Sequence, residues 1–102
     1  MSWTAVCRLA ELDEESARRF DAGGRSFAIY RMTGDEVFCT DGFCTHEAIH
    51  LSDGLVMDYE VECPKHSSVF DLRTGEVMTP PACENLNTYP ARVSAGMIEI
   101  DI

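Results

Sequence analysis

Two short segments, Cys44-Thr45-His46 and Cys63-Pro64-Lys65-His66, constrain this chain more than any other part of it. Sixteen residues, 47–62, separate them, and none of these is a cysteine. Thiolate and imidazole offered together select zinc or an iron–sulfur cluster, and the order of the ligands separates the two. A zinc finger pairs cysteine with cysteine and histidine with histidine, because each close pair chelates one ion. Here each segment supplies one residue of each kind. That order suits two irons, one held by both thiolates and the other by both imidazoles, with each segment straddling the cluster. The surroundings agree. Asp41-Gly42 precedes the first segment and Pro64 lies inside the second, and turn-forming stretches of this kind expose ligands on loops.

Length sets what such a centre can be built into. The 102 residues make one domain, 1–102, and at 45% hydrophobic with few aromatics they bury one modest core that a metal cluster would help to hold. The longest apolar runs, such as Phe27-Ala28-Ile29-Tyr30, fall far short of the ~18 residues that a membrane span needs. The start, Met1-Ser2-Trp3-Thr4, has no basic or apolar leader, so the cytoplasm is the expected compartment. Of the five cysteines, Cys7, Cys39 and Cys83 lie outside the ligand set and read as free thiols.

Eight basic side chains against eighteen acidic ones give a formal charge of −10, spread from Glu11 to Asp101. This balance excludes nucleic acid as the expected partner. A dispersed acidic surface keeps a protein soluble, and it also steers an electron carrier toward a basic docking site while leaving affinity low.

Along the chain, short strands alternate with turns, and an all-β fold is predicted. Trp3–Leu9 reads as the first strand, and residues 10–19 as a helical turn or an exposed loop. Arg25–Met32 and Val37–Thr40 form a hairpin across Thr33-Gly34-Asp35-Glu36. Leu51–Gly54 is a turn. Leu55–Met57 and Tyr59–Glu62 form a hairpin pivoting at Asp58 that delivers Cys63. Val69–Asp71 and Glu76–Met78 flank the turn 72–75, and Pro80-Pro81 ends the pairing. Thr88–Ser94 and Met97–Ile102 close the chain as a hairpin around Ala95-Gly96.

Over most of its length, from about Trp3 to Ile102, the sequence resembles Rieske ferredoxins of bacterial aromatic-ring dioxygenase systems. The C-x-H and C-x-x-H segments carry the resemblance, with Leu51-Ser52-Asp53-Gly54, Phe70-Asp71-Leu72-Arg73-Thr74-Gly75-Glu76-Val77, Pro80-Pro81, and Leu86 with Thr88-Tyr89-Pro90. It implies a Rieske fold: an antiparallel β sandwich or barrel-like base with a small β cluster-binding subdomain at about 41–82. It also implies a [2Fe-2S] cluster, with Cys44 and Cys63 on the inner iron and His46 and His66 on the outer one. Pro80-Pro81 would cover the cluster's third side. His50 reads as a packing histidine, because both imidazole places are taken.

Respiratory and photosynthetic Rieske proteins add a cysteine to each ligand loop and join the two in a disulfide. Ile49 and Lys65 stand at those places here. Where they set a tyrosine hydroxyl near a ligand sulfur this chain has Phe70, leaving Ser68 as a candidate hydroxyl donor. Fewer hydrogen bonds to sulfur place the expected potential around −150 mV, the low end of the Rieske range. With neutral imidazoles the oxidised cluster carries no net charge and the reduced one carries −1. A four-cysteine cluster would go from −2 to −3, hence the ~250 mV or more between the two types.

The function implied is that of a one-electron carrier between a flavin-containing ferredoxin reductase and the Rieske centre of a terminal oxygenase. It would be a monomer that turns over no substrate and docks transiently at the cluster tip. A small Rieske-like subunit of a larger oxidoreductase, such as assimilatory nitrite reductase, is the alternative. A zinc-bound interaction module is a third reading. A terminal oxygenase is excluded by length.

Overall fold

Alternation along a strand sends Phe27 and Ile29 to one face and Ala28 and Tyr30 to the other, so this apolar run can be satisfied only by burying both faces. In the computed structural model, which describes residues 1–102, all four side chains have no exposed surface. Strand β3 (Arg25–Arg31) is thus an inner strand with a separate core on each side. Phe27 and Ile29 join Cys7, Leu12, Val37, Cys39, Ile98 and Ile100 in one cluster. Ala28 and Tyr30 join Met32, Leu51, Val56, Val61, Phe70 and Leu72 in the other, which also includes Cys44 and Cys63. Each large side chain fully buried in this way contributes roughly 1.5–3 kcal/mol relative to leaving it in water.

Three antiparallel sheets enclose these cores. The first runs in the order β1 (Trp3–Arg8), β11 (Met97–Asp101), β10 (Ala91–Ser94). The second runs β2 (Ser16–Ala22), β3, β4 (Val37–Asp41), β9 (Thr88–Tyr89). The third, in plain sequence order, is β5 (Leu55–Met57), β6 (Glu60–Glu62), β7 (Val69–Asp71), β8 (Val77–Thr79). There is no α-helix, only 3-10 turns at Leu9–Glu11 and Leu51–Asp53. No helix is long and apolar enough to cross a membrane.

Tyr30 brings a phenol into the second core, and its hydroxyl lies 2.9 Å from Thr40 Oγ1. The Thr40 hydroxyl donates in turn to the Asp41 carbonyl at 2.8 Å, so Tyr30 donates to Thr40. Burial pushes the phenol pKa far up and keeps that donor protonated.

The hairpins form where the turn residues place them. Asp58 and Tyr59 both take positive φ, 53° and 64°, matching the two left-handed positions of a tight hairpin turn between β5 and β6. The structure differs from the sequence reading in two places. Residues 10–19 are expected as helical turn or loop, yet from Ser16 the chain enters β2, which runs to Ala22 and pairs along its whole length with β3. Arg18, Arg19 and Asp21 obscured this strand by interrupting its apolar alternation, yet charge is what an outermost strand carries on its exposed positions. The expected strand Thr88–Ser94 is divided at Pro90, which has no N–H to donate. Its first half, β9, pairs with β4, and its second half, β10, pairs with β11.

Cys7 and Cys39 lie buried in the core between the first two sheets, whereas Cys83 is exposed. Burial pushes the Cys39 thiol up to about 12, so it remains neutral. Replacing either buried sulfur with a hydroxyl, Cys7→Ser or Cys39→Ser, is expected to cost about 1–3 kcal/mol. Cys83→Ser should cost less than about 0.5 kcal/mol. Denaturant midpoints of the three variants check this ranking, and equal midpoints would contradict the burial of Cys7 and Cys39 in that core.

Candidate metal centre

Three loops leave the strand ends and converge on one end of the second core. The first, residues 42–50, follows β4. It is held as a narrow loop by the Cys44 N–H donating to the Ile49 carbonyl at 2.9 Å and by the bridge between Phe43 and His50. The second, residues 63–68, joins β6 to β7. The Cys63 N–H donates to the Ser68 carbonyl at 2.7 Å and the Ser67 N–H returns to the Cys63 carbonyl at 3.1 Å, a reversal that requires positive φ at Ser67, 60°. The third, residues 80–87, follows β8 with a cis bond between Pro80 and Pro81.

The structure brings the four candidate ligands together in two tiers. Cys44 and Cys63 are buried at 4% and 1% exposure, and their sulfurs are neighbours although no bond joins them. The His46 and His66 rings lie outside them, edge to face, with centroids 5.0 Å apart. Burial raises the Cys44 thiol pKa and the adjacent Cys63 sulfur raises it further, while hydrogen bonds donated by the His46 and Glu47 backbone N–H groups to the Cys44 sulfur oppose the rise. A pair of buried thiols kept close without a disulfide, one of them facing two N–H donors, suits thiolates bound to metal. His66 Nε2 is a buried nitrogen with no hydrogen bond. It lies 2.9 Å from Glu47 Oε1, off the direction that a hydrogen bond needs. These four residues fit a cluster that takes two thiolates on its buried side and two imidazoles toward solvent.

Contacts between the loops complete the site, and sequence reading found few of them. Ser68, expected as a donor toward a ligand sulfur, is fully buried and accepts the Ala82 N–H at 2.9 Å, which fastens the third loop beneath the second. The Thr45 hydroxyl donates to the Glu84 carbonyl at 2.7 Å, fastening the third loop to the first. Glu47 reaches both members of the second loop, Lys65 Nζ at 3.1 Å and His66 Nε2 at 2.9 Å. The Lys65 contact first, then that to His66, lowers the Glu47 carboxyl pKa. The opposite charges of Glu47 and Lys65, each next to or one residue from a ligand, were the available signal.

His50 stands apart from the four. Its Nδ1 accepts the Ser52 N–H at 3.2 Å and lies 2.8 Å from Ser52 Oγ, so the ring proton sits on Nε2 and is donated to Ser26 Oγ at 2.9 Å. The Ser26 hydroxyl then donates to Asp21 Oδ1 at 2.5 Å. This chain ties the first ligand loop to the β2–β3 hairpin. It also explains Gly42, where any Cβ would stand 2.5 Å from His50 Nε2 and 3.0 Å from the Ser26 backbone.

A family model described as "Rieske [2Fe-2S] domain" matches residues 2–90. The chain is 34% identical over 100 residues to the ferredoxin component of the naphthalene 1,2-dioxygenase system of Pseudomonas aeruginosa, covering 98% of this chain and 95% of that one. Among solved structures, the ferredoxin of carbazole 1,9a-dioxygenase from Nocardioides aromaticivorans IC177 superposes with a TM-score of 0.91 at 27% identity, covering 98% and 97% of the two chains. A chain from a complex of reduced oxygenase and oxidised ferredoxin in carbazole 1,9a-dioxygenase gives 0.89 at 29% identity, with 96% and 91% covered.

His50 also yields a pH dependence. Burial first, then the Arg19 charge, lowers its pKa, against the opposing pull of Asp21 and Asp53. The unfolded chain takes up this proton near pH 6.5 while the folded one still resists it, so the unfolded state binds more protons and stability falls as pH drops below about 6.5. Carboxylates with lowered pKa values, such as Asp21 and Asp71, act in a separate window below about pH 4. The thermal midpoint should therefore fall between pH 7.5 and 5.5. His50→Asn, which keeps an acceptor for Ser52, should flatten that slope, and an unchanged slope would remove His50 as its source.

Proposed function

The chain belongs to the Rieske [2Fe-2S] domain family, and from that premise we propose that it is a one-electron carrier. It takes electrons from a flavin-containing reductase and delivers them to the Rieske centre of a terminal oxygenase acting on an aromatic substrate. Its full-length likeness to a dioxygenase ferredoxin component carries this reading. Relatives named for naphthalene and for carbazole systems share the fold, so the substrate belongs to the oxygenase and not to this chain.

In this reading Cys44 and Cys63 would hold the inner iron and His46 and His66 the outer iron of one [2Fe-2S] cluster. The cluster, when bound, supplies a site that stores and releases one electron. The chain does the rest. Leu51, Val61, Phe70 and Leu72 keep water from the sulfurs, being almost wholly buried around Cys44 and Cys63. The backbone N–H groups of His46 and Glu47 stabilise the Cys44 thiolate. His46 is exposed and His66 half-buried at the outer end of the site, so these rings would give an electron held at the cluster its way out toward a partner docked on the loops. Such encounters are small, below about 1,200 Å² of buried surface, and their rates depend more on long-range charge than on packing.

Purified protein should be red-brown and carry about two irons and two acid-labile sulfides per chain. Cys44→Ser and Cys63→Ser should lose the cluster, whereas Cys7→Ser, Cys39→Ser and Cys83→Ser should keep it. Colourless protein with one bound zinc would sink this proposal, and stable copurification with a large catalytic subunit would favour a subunit role instead.

Charge sets the second test. On a chain of net charge −10, raising salt from 0.1 M to 1 M shortens the Debye length from about 10 Å to about 3 Å. Stopped-flow transfer to the oxygenase should slow across that series. Rates indifferent to salt would mean that the acidic surface serves solubility alone.

A further inference from the structure

We propose that Glu47 is a positioning residue that latches the two ligand loops together and holds down the potential of the bound cluster through His66. The inference rests on the ligand assignment above. The Glu47 side chain leaves the first loop, one residue after His46, and both of its oxygens are engaged by the second loop. Oε2 is 3.1 Å from Lys65 Nζ, and Oε1 is 2.9 Å from His66 Nε2. No covalent bond joins these loops, since all five cysteines are free. The latch is ionic, between a carboxylate and an ammonium that are 36% and 56% exposed.

The chemistry follows from which His66 nitrogen faces the carboxylate. With Nε2 against Glu47, Nδ1 is the nitrogen left for iron. An imidazole bound through one nitrogen carries its proton on the other, and a carboxylate accepting that proton orients the ring and makes it a stronger electron donor. Here the acceptor is in place, and a small rotation of either side chain would align it with the N–H. A negative group beside the outer imidazole also opposes the extra negative charge of the reduced state. Glu47 therefore favours the oxidised form. Lys65, on the other end of the same carboxylate, offsets part of that charge.

The two partners must then act with opposite sign, and this separates an electrostatic role from a merely structural one. Glu47→Gln keeps the size and an acceptor oxygen but removes the charge. It should shift the one-electron equilibrium about threefold toward the reduced form, a rise of about 28 mV at 59 mV per tenfold change. Lys65→Met uncovers the Glu47 charge and should move the potential the other way. In Glu47→Gln/Lys65→Met the lysine change should have lost most of its effect. Loops that had simply loosened would shift the potential in one direction for both variants.

The experiment is spectroelectrochemical titration of the cluster-loaded wild type, the two single variants and the double variant at 0.1 M and 1 M salt. Wild-type protein without a two-iron spectrum would overturn the ligand assignment itself. With that spectrum present, a rise for Glu47→Gln and a fall for Lys65→Met, both smaller at 1 M salt, support the latch. Shifts of the same sign, or none, overturn it. Should Glu47→Gln fail to hold a cluster, the direction of Lys65→Met decides alone: a fall supports the proposal, and no change or a rise overturns it.

Discussion

Strand β3 has no face that can meet water, and the layered architecture follows from satisfying both of its sides. Phe27 and Ile29 need the β1-β11-β10 sheet, while Ala28 and Tyr30 need a second cover, which β5 to β8 provide. That second cover places the metal loops. Its hairpins must turn at the rim of the core they close, so Cys44 and Cys63 reach inward among Leu51, Val61 and Phe70 while the residues just after them remain at the surface. The difference between the buried thiols and the exposed His46 and half-buried His66 rings is thus a property of position. A residue two or three places further along the loop has already left the core.

What was legible in the sequence was mostly local. Alternating Cys and His at fixed spacing, glycines at turns, and apolar runs of strand length each carry their meaning within a few residues. So the hairpins 25–40 and 55–62 could be read directly, and the proposed ligands Cys44, His46, Cys63 and His66 could be singled out by their spacing. What was not legible depends on partners far along the chain. Ser16–Ala22 looks too polar for a strand until β3 is available to pair with it. Pro90 looks like an irregularity within one strand until it is seen dividing a segment between two sheets. Ser68 reads as a candidate hydroxyl donor, and the role that the sequence does not show is the acceptor one: its oxygen takes the N–H of Ala82, fourteen residues on.

The surface charge divides by distance from the site. Most of the acidic excess is spread over the body of the protein, where it acts at the range of the Debye length. At the loops, Glu47, Lys65 and His66 form a small network whose members act over a few ångströms. The two scales serve different steps. In the proposed carrier the diffuse field would govern how often a partner arrives, and the local network how readily an electron is released once it has.

The pairing of β4 with β9 has a topological consequence. The Asp41 N–H donates to the Asn87 carbonyl at 3.0 Å and the Asn87 side chain donates to Asp41 Oδ2 at 2.9 Å, so the ends of the excursion 42–86 are joined at one place on the base. Closing a loop costs entropy that grows only logarithmically with its length, about 0.6 kcal/mol for each doubling. The base therefore carries this long excursion at little more entropic cost than a short one. In folding terms, the loops that carry the proposed ligands can vary in length at little entropic cost, provided that β5 to β8 still cover Ala28 and Tyr30. They can lengthen, shorten or change their charges while β1 to β4 and β9 to β11 retain the same partners.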